Sequence, residues 1–583
     1  MLNRKPKNYN MKTSFKLLSA AAAISTAILV TFCTSNTPQM SPKLDGATLD
    51  DLIENGNFKR ANQILSEALM CDSLSESDRY LINFEKDKMQ RILAEFNKGE
   101  EEVLEYIKKY IPNVTEEQME AWRQSGALEC KVIDGQRRYF RKGPGNLFLV
   151  DPVCVAAREA VDGPETGTTG DFLKDYLPKV ISDACFQQVW GKDIRVSSYV
   201  DPVKMTVHVL MRVMPDAVPA GEVVRMWLPY PKEKDRQKDI ELKRVFIGYN
   251  SNYKDLELPS AAVSVKREGF KIKVDRKEAL SEPNANTDGT LAANFYEDGS
   301  QLLGAEGAYR GNGYIISSPD AARRSLYLEM VSNGKDTLKA GYDLSYTSYN
   351  QYFSKLEDQI KPYDTTSLIY KTYTAERERH IVFTDKIKTL ADSLVGGATE
   401  PYEKVKRIWC WITENIPWAG ARDYSTIPNI PMYVLKNGHG DCGQVSLLFM
   451  TMARYEGIPA RWQSGWMVHP GHVNLHDWAE VYYEGVGWVP VDQSFGYSGG
   501  DRDKADTTAV LTDDQQMLKF FFSRGLDAYR FIVNDEYGLW APLYPAKIYP
   551  HYDEVDFQMG EAEWRGGNIL NGGWKCWMDV DYN

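Results

Sequence analysis

The spacing of apolar residues changes twice along the chain, and these changes limit the folds open to it. Between about residues 47 and 122 apolar residues recur every three or four positions, the period of an amphipathic helix. From about residue 196 to residue 349 they alternate with polar residues, as in half-buried strands. Helical spacing returns from about residue 375. The pattern predicts an α+β protein with several domains.

We predict four regions after the N-terminal segment. Residues 46–190 form a helical N-terminal region with one hairpin, and residues 195–350 a β-sandwich-like domain. A compact region at 375–500 follows, and a C-terminal extension at 501–583 packs on it.

Short turn signals locate three hairpins within these regions. Asp134-Gly135 predicts one in the N-terminal region, and Glu268-Gly269 and Asn333-Gly334 predict two in the sandwich. Residues 281–312, rich in Gly, Asn and Ala, predict a long loop.

Composition excludes two broad classes of protein. Of the 583 residues, 43% are hydrophobic, and the formal net charge is −12 without any block of Lys or Arg. An extended nucleic-acid surface would need clustered cations, so no nucleic-acid partner is expected. The chain has 14 Trp, 34 Tyr and 21 Phe, too many large apolar groups for a solvated coil.

The N-terminus predicts export. Five cations and no acidic residue precede an apolar stretch from Leu17 to Phe32, which is too short to span a bilayer. Val30-Thr31-Phe32-Cys33 resembles a lipoprotein cleavage box, although Phe32 departs from the small residue usual there. We therefore expect a signal peptide at 1–33, lipidation of Cys33, a tether at 34–45 and a lipid-anchored protein of the cell envelope. Ordinary secretion or a retained anchor remains the alternative.

One cysteine occupies a predicted helix start. In Gly440-Asp441-Cys442-Gly443, Asp441 is a suitable N-cap, and the apolar pattern that follows ends at Gly457-Ile458-Pro459. Cys442 then lies in the first turn, where unpaired N–H groups and the helix dipole favour a negative sulfur. With a histidine as partner, this position predicts a thiol pKa well below the ordinary value. An isolated cysteine here would be more simply a buried structural thiol.

A histidine and an aspartate are predicted to meet on neighbouring strands. Residues from His476 to Tyr483 alternate as a strand, and a turn at Gly485 and Gly487 leads into a second strand. If Tyr482 pairs with Trp488, then Trp478 lies opposite Asp492 and His476 is the diagonal neighbour of Asp492 on the same face. Asp492 could then orient the imidazole as a base for Cys442. A loop of even length would place His476 and Asp492 on opposite faces of the sheet.

These motifs resemble the transglutaminase-like superfamily, whose core has a papain-like topology. The resemblance covers residues 404–496 through Gly-Asp-Cys, Gly-Ile-Pro-Ala-Arg, His-x-Trp and Gly-Trp-x-x-x-Asp. It implies that the 375–500 region is the catalytic core, with Cys442 as nucleophile, His476 as base and acid and Asp492 as orienting residue. The family's second oxyanion donor has no fixed counterpart; four residues are candidates for oxyanion or substrate-lining roles: Trp418, Tyr424, Gln444 and Trp478.

The resemblance implies acyl transfer from peptide or isopeptide amides without a cofactor. Hydrolysis is favoured over cross-linking, and cell-wall peptide is among the expected substrates. Two alternatives stay open: a protein-glutamine cross-linking enzyme and a non-catalytic binding scaffold with a relic core.

The histidine spacing offers a zinc site as a weaker interpretation. His469, His472 and His476 could be ligands, but Pro470-Gly471 interrupts them and no regular zinc-site spacing is present, so no metal is predicted. Six cysteines besides Cys33 and Cys442 leave disulfides open without indicating a pairing.

Overall fold

The computed structural model describes the chain in separate stretches: residues 49–71, 74–163, 169–234, 236–256, 258, 309–311, 313–496, 512–538, 541–547, 555–569 and 572–583. The signal peptide with Cys33, the tether, the hairpin at Glu268-Gly269 and nearly all of the 281–312 loop lie outside these residues. The chain divides into two compact units. One comprises the residues up to Val114 together with Leu128–Pro144, and the other comprises Thr115–Ala127 and the residues from Gly145 onward.

In its described residues, the first unit consists of four helices and a hairpin. Its elements are α1 (Leu49–Glu54), α2 (Phe58–Leu69), α3 (Glu76–Glu95), α4 (Glu100–Lys108), β1 (Cys130–Ile133) and β2 (Gln136–Tyr139). Ile133 pairs with Gln136 across Asp134 and Gly135, both with positive φ, as a two-residue hairpin turn requires. The predicted N-terminal hairpin is confirmed. Phe58, Phe96 and Phe140 lie in the apolar core of this unit.

The helices of the second unit precede and follow a long run of strands. They are α5 (Glu116–Ser125), α6 (Gly143–Val150, whose first two residues belong to the first unit), α7 (Pro152–Asp162), α8 (Thr169–Trp190), α9 (Ile194–Ser197), α10 (Leu368–Tyr373), α11 (Asp385–Val395), α12 (Pro401–Asn415), α13 (Ile430–Asn437), α14 (Cys442–Tyr455) and α15 (Asp513–Lys519). Among the described helices, none combines the length and apolarity needed to cross a bilayer.

The strands that the structure describes in this unit form three sheets. They are β3 (Tyr199–Val213), β4 (Val223–Pro229), β5 (Gln237–Tyr249), β6 (Asn252–Asp255), β7 (Tyr309–Gly311), β8 (Tyr314–Ile316), β9 (Ser325–Val331), β10 (Leu338–Tyr352), β11 (Ala460–His469), β12 (His472–Tyr483), β13 (Gly487–Val491), β14 (Gly525–Leu526), β15 (Arg530–Asn534), β16 (Glu561–Trp564), β17 (Gly567–Asn568) and β18 (Trp574–Tyr582). The α+β fold predicted from the sequence is confirmed.

Two of these sheets enclose an apolar core. One has the order β18-β3-β10-β5-β6, with β14 beside β10, and the other has the order β17-β16-β4-β9-β8-β7. Inward-facing side chains of both sheets, among them Val207, Trp227, Leu328 and Tyr342, belong to one buried cluster. The period of two in this part of the sequence has its cause here, because one face of each strand is buried between the sheets.

The predicted hairpin at Asn333-Gly334 is wrong. β9 pairs with β4 and β8, whereas β10 pairs with β3 and β5, so the turn carries the chain from one sheet to the other. Asn333 Oδ1 accepts hydrogen bonds from the N–H groups of Lys335 and Asp336, which stabilises the turn. An Asn-Gly signal indicates a change of direction, but it does not select the strand that the returning chain will pair with.

The C-terminal extension divides among three sheets, although the sequence placed all of it on the catalytic core. β15 joins β11 in the third sheet, of order β13-β12-β11-β15. β18 instead pairs along β3 of the sandwich, and β16 pairs with β4. The edges of β3 and β4 are available to any extended segment, and sequence alternation does not say which segment will occupy them.

The third sheet and α14 position the candidate site. Every residue of α14 from Gly443 to Arg454 is buried. Its apolar side chains share one core with α11, α12 and strands β11 to β13. The start of α14 is thereby fixed against β12, since a helix buried along its length cannot shift without opening the core.

Candidate active site

Cys442 is the first residue of α14, and its position is set by a capping box. Asp441 Oδ1 accepts from the N–H of Gln444 at 3.1 Å, and Gln444 Oε1 accepts from the N–H of Asp441 at 3.2 Å. The predicted N-cap is therefore confirmed. The two reciprocal bonds satisfy backbone donors that a helix start leaves unpaired.

Gly443 permits close packing around the thiol. A Cβ at this position would lie 2.5 Å from the Tyr424 hydroxyl and 2.7 Å from Asp477 Oδ2. The Tyr424 hydroxyl donates to Asp441 Oδ1, so this tyrosine holds the N-cap in place. The glycine is required here by a near approach of side chains rather than by its backbone conformation.

The register of β12 and β13 brings His476 to Asp492. Tyr482 pairs with Trp488, as the sequence predicted, and His476 Nε2 donates to Asp492 Oδ2 at 2.7 Å. His476 is 3% exposed and Asp492 is fully buried. The carboxylate therefore fixes the tautomer, with the proton on Nε2 and the lone pair on Nδ1.

Arg530 of β15 joins this pair to a second one. Its Nη1 donates to Asp492 Oδ2 at 3.0 Å, and its Nε and Nη2 donate to Asp527 Oδ2 at 3.0 and 2.7 Å. Asp527 Oδ1 also accepts from His469 Nε2 at 3.0 Å. The single positive charge of the Arg530 guanidinium is shared by the two buried carboxylates and stabilises both.

These contacts set the protonation of the dyad. Burial by itself would raise the pKa of Asp492, but His476 and Arg530 outweigh it and hold the pKa below its usual value. Burial lowers the pKa of His476, against the opposing effect of Asp492. Near neutral pH the site accordingly holds an ionised carboxylate and a neutral imidazole, the form of histidine that can accept a proton.

The thiol itself is in a different state from the one predicted. Among the described residues, the Cys442 side chain hydrogen bonds to Asp477 Oδ2 at 3.5 Å, and no bond joins it to His476. Burial, followed by the charges of Asp477 and Asp441, raises the pKa of Cys442 well above its usual value. The predicted lowering is wrong, because the helix start is outweighed by desolvation and by a carboxylate that the sequence analysis did not weigh.

The four residues predicted to line the site have different surroundings. The Trp418 side chain is 48% exposed, and its backbone forms a parallel bridge with Gly440, two residues before Cys442. Gln444 is buried, and its Nε2 finds no partner among the described residues.

Trp478 is fully buried, its Nε1 donates to Gln463, and its ring stacks with that of His476 at 5.8 Å. In this structure the side chain supports the imidazole, and a substrate-lining role for Trp478 stays a prediction. Alternation correctly predicted that Trp478 shares a strand face with His476, but it carries no information on how far that face is buried.

The three histidines of the alternative zinc interpretation have separate partners. His469 and His472 flank the Pro470-Gly471 turn; the first bonds Asp527, the second bonds Thr169 Oγ1 at 2.5 Å, and His476 bonds Asp492. Within the described stretches, no group of three His, Cys, Asp or Glu side chains is arranged to hold a metal ion.

Reasoning from the sequence did not find the contacts that two residues make at the site. Asp477 follows His476 directly, and strict alternation assigned it to the opposite face of the strand from the histidine. Arg530 lies 38 residues after Asp492, so no local pattern links them. A signal existed only for Asp477, since an acidic side chain inside an apolar strand must find a buried partner.

A known family matches part of the chain. Residues 388–493, which include Cys442, His476 and Asp492, match the family model described as the transglutaminase-like superfamily. This region is a transglutaminase-like core.

Two curated relatives match parts of the chain. The protein YebA of Bacillus subtilis, uncharacterised, is 24% identical over 133 residues, which are 20% of this chain and 18% of the relative. An uncharacterised protein of Haemophilus influenzae is 26% identical over 201 residues, which are 30% of this chain and 51% of the relative. The chain thus spans about half or less of the length of these relatives.

Two solved structures show distant likeness. A proposed cysteine protease from Cytophaga hutchinsonii is 12% identical, with 66% of this chain and 92% of that chain covered and a TM-score of 0.33. The periplasmic domain of TgpA from Pseudomonas aeruginosa is 14% identical, with 49% of this chain and 93% of that chain covered and a TM-score of 0.21.

Proposed function

We propose that the transglutaminase-like core is a thiol-dependent acyl-transfer enzyme that acts on peptide or isopeptide amides and favours hydrolysis over cross-linking. Cys442 is the nucleophile, His476 the base and acid, and Asp492 the orienting carboxylate. The observation that carries the proposal is the 2.7 Å bond from His476 Nε2 to Asp492 Oδ2 beside the cysteine-bearing helix start. A buried imidazole held in one tautomer by an ionised carboxylate is suited to repeated proton transfer.

The chemistry follows from this tautomer. Nδ1 of His476 takes the thiol proton, and the Cys442 sulfur attacks the amide carbon, forming a C–S bond. The C–N bond breaks as the imidazolium gives its proton to the leaving amine. Water then attacks the thioester, its proton passes to His476, and breakage of the C–S bond restores the thiol. Replacement of that water by an amine would give cross-linking.

The developing oxyanion needs donors near Cys442. The N–H groups of Cys442 and Gly443 at the start of α14 are not part of the capping box and would supply one side. Trp418 is the favoured second donor, because its side chain is half exposed and its backbone adjoins Gly440. Tyr424 is disfavoured, since its hydroxyl already donates to Asp441.

The expected setting is the cell envelope. The segment before Cys33 has the charge and apolar pattern of an export signal, and lipidation of Cys33 would anchor the protein at a membrane. Peptides of the cell wall, or proteins close to it, are then the substrates within reach. Mass spectrometry of Cys33 in protein purified from a membrane fraction tests the anchor.

The reaction type is tested with a glutamine peptide and a labelled amine. We expect release of ammonia or peptide cleavage to exceed incorporation of the amine, and Cys442→Ser to abolish both. Cys154→Ser is the matched control, because Cys154 also lies in the first turn of a helix capped by an aspartate. Amine incorporation above hydrolysis would show a cross-linking enzyme instead.

One observation favours a second candidate, a binding scaffold with a relic core. Cys442 hydrogen bonds to Asp477 and has a raised pKa, a state unlike that of an activated thiol. A thiol-directed electrophile at mild pH separates the two. Selective reaction at Cys442 over the other thiols supports the enzyme, whereas equal reaction supports the scaffold.

A further inference from the structure

Asp477 is a second carboxylate at the nucleophile, and its surroundings are unusual for a buried acid. The residue is 1% exposed. Its Oδ2 accepts from the Cys442 thiol at 3.5 Å, and its Oδ1 accepts from Gln558 Nε2 at 2.5 Å. Among the described residues no Lys, Arg or His forms an ion pair with it. Asp492 is buried as deeply, but it has Arg530 at 3.0 Å.

We propose that Asp477 controls the protonation of the nucleophile: as a neutral acid it donates a hydrogen bond to the Cys442 thiolate, and as a carboxylate it holds Cys442 as a thiol. The proposal rests on the function proposed above, in which Cys442 attacks the substrate. It assigns the acidic side chain a role in the reaction itself, because the carboxyl group touches the reacting sulfur.

The proton count gives the direction of the effect. The reactive state has a proton on Asp477, a proton on His476 and none on Cys442. It is a tautomer of the state in which acid and thiol are neutral and the imidazole is uncharged, so no proton is lost in reaching it. Loss of one proton from Asp477 places a carboxylate against the sulfur, and two adjacent anions in a desolvated site repel strongly. Reactivity therefore falls as pH rises through the pKa of Asp477.

The other acidic groups around Asp477 favour its neutral form. Asp441 caps α14, Asp556 approaches from the segment 555–569, and Asp492 follows β13. Tyr424 lies against Cys442 and Asp477 and carries no charge near neutral pH. His476, uncharged at rest, precedes Asp477 in β12.

Burial and the neighbouring carboxylates change the pKa of Asp477 in the same direction. Burial, then the charges of Asp556 and Asp441, raises the pKa of Asp477 well above its usual value. The opposing bond from the Cys442 thiol is weaker than these effects.

The test compares Asp477→Asn with the wild-type protein over pH 5 to 9. The amide imitates the neutral acid at every pH, since its NH₂ can donate to the thiolate. Alkylation of Cys442 by iodoacetamide, followed by peptide mass spectrometry, gives the rate. We expect equal rates near pH 5, and a rate at least tenfold higher in the variant at pH 8. Asp579→Asn, the same charge change at an exposed position on β18, should follow the wild type.

A second variant tests the proposal if Asp477→Asn does not fold. Gln558→Leu removes the hydrogen bond that stabilises the carboxylate and keeps the backbone carbonyl that accepts from Trp466. It should move the alkaline fall in Cys442 reactivity and in kcat/KM to higher pH. Asp477→Glu should restore a pH-dependent rate, which a purely structural role would not predict.

The outcomes separate the two proposals. The ratio of the Cys442 alkylation rate in Asp477→Asn to that in the wild type decides the role of Asp477. If this ratio is constant with pH, that role is overturned. The enzyme proposal still holds in that case if hydrolysis depends on Cys442. Absence of selective Cys442 reactivity and of hydrolysis in every variant overturns both. If this ratio rises with pH while Asp579→Asn follows the wild type, the inference is supported.

Discussion

His476 Nε2 lies 2.7 Å from Asp492 Oδ2, and the two residues belong to neighbouring segments of one hairpin. The same carboxylate oxygen also accepts from Arg530 at 3.0 Å. Asp492 Oδ2 thus links the imidazole to β15, a strand that is remote in sequence. The ring can neither turn nor change tautomer without breaking a charge-assisted bond in the interior.

Replacing Asp492 by Asn should impair turnover more than substrate binding. The amide can donate to Nε2, which would favour the opposite tautomer and leave Nδ1 protonated. We expect kcat to fall by roughly 10³- to 10⁴-fold with a smaller change in KM. Steady-state kinetics on the peptide substrate measure both. An unchanged kcat would show that His476 does not depend on this carboxylate, and Asp579→Asn serves as the control for charge.

Removing Arg530 should destabilise the protein strongly. Arg530→Met leaves Asp492 and Asp527 buried without their cation, and breaking a buried pair in this way costs about 3–5 kcal/mol. Urea unfolding at pH 7 gives the free energy of unfolding. Arg244→Met is the comparison, because its pair with Asp255 is exposed and is worth about 0–1 kcal/mol. Similar losses in the two variants would contradict the assignment.

Gly443→Ala should disturb the site although alanine is the better helix former. Its Cβ would lie 2.5 Å from the Tyr424 hydroxyl and 2.7 Å from Asp477 Oδ2. We expect a loss of about 1–3 kcal/mol in unfolding free energy and slower alkylation of Cys442. In Gly145→Ala, within α6, the new Cβ meets nothing within 4 Å, so stability should be unchanged or higher. Equal behaviour of the two variants would argue against the close packing.

His380 should make the protein less stable in acid. Burial lowers its pKa to about 3, below the 6.5 of an unfolded histidine, so the unfolded chain binds the proton first. The contribution of the neutral His380 side chain to the free energy of unfolding is complete above pH 6.5. It declines as pH falls toward 3, by about 1.4 kcal/mol per pH unit. Urea unfolding at pH 7, 6 and 5 should give a shallower decline for His380→Gln.

His208 provides a control of opposite sign for that experiment. Burial opposes its charge, but Asp343 and Asp581 outweigh this and raise the pKa of His208. Its contribution is present at low pH and is lost as pH rises through the folded-state pKa. His208→Gln should therefore not flatten the acid decline, and a flattening equal to that of His380→Gln would contradict the role of burial.

The sequence by itself determined the features that depend on neighbouring residues. Asp441 is the predicted N-cap of α14, and Tyr482 pairs with Trp488. The position of Cys442 and the meeting of His476 with Asp492 therefore follow from short-range rules. Helix caps and tight hairpins are local because their hydrogen bonds join residues only a few positions apart.

The tertiary structure decided the contacts between distant segments and the charge state that results from them. Arg530 reaches Asp492 only because β15 pairs with β11, and Asp477 meets Cys442 only because α14 packs on β12. No periodicity encodes these approaches, since many packings satisfy the same apolar pattern. The helix start predicted a lowered pKa for Cys442, but desolvation and a buried carboxylate depend on the final packing and reverse that direction.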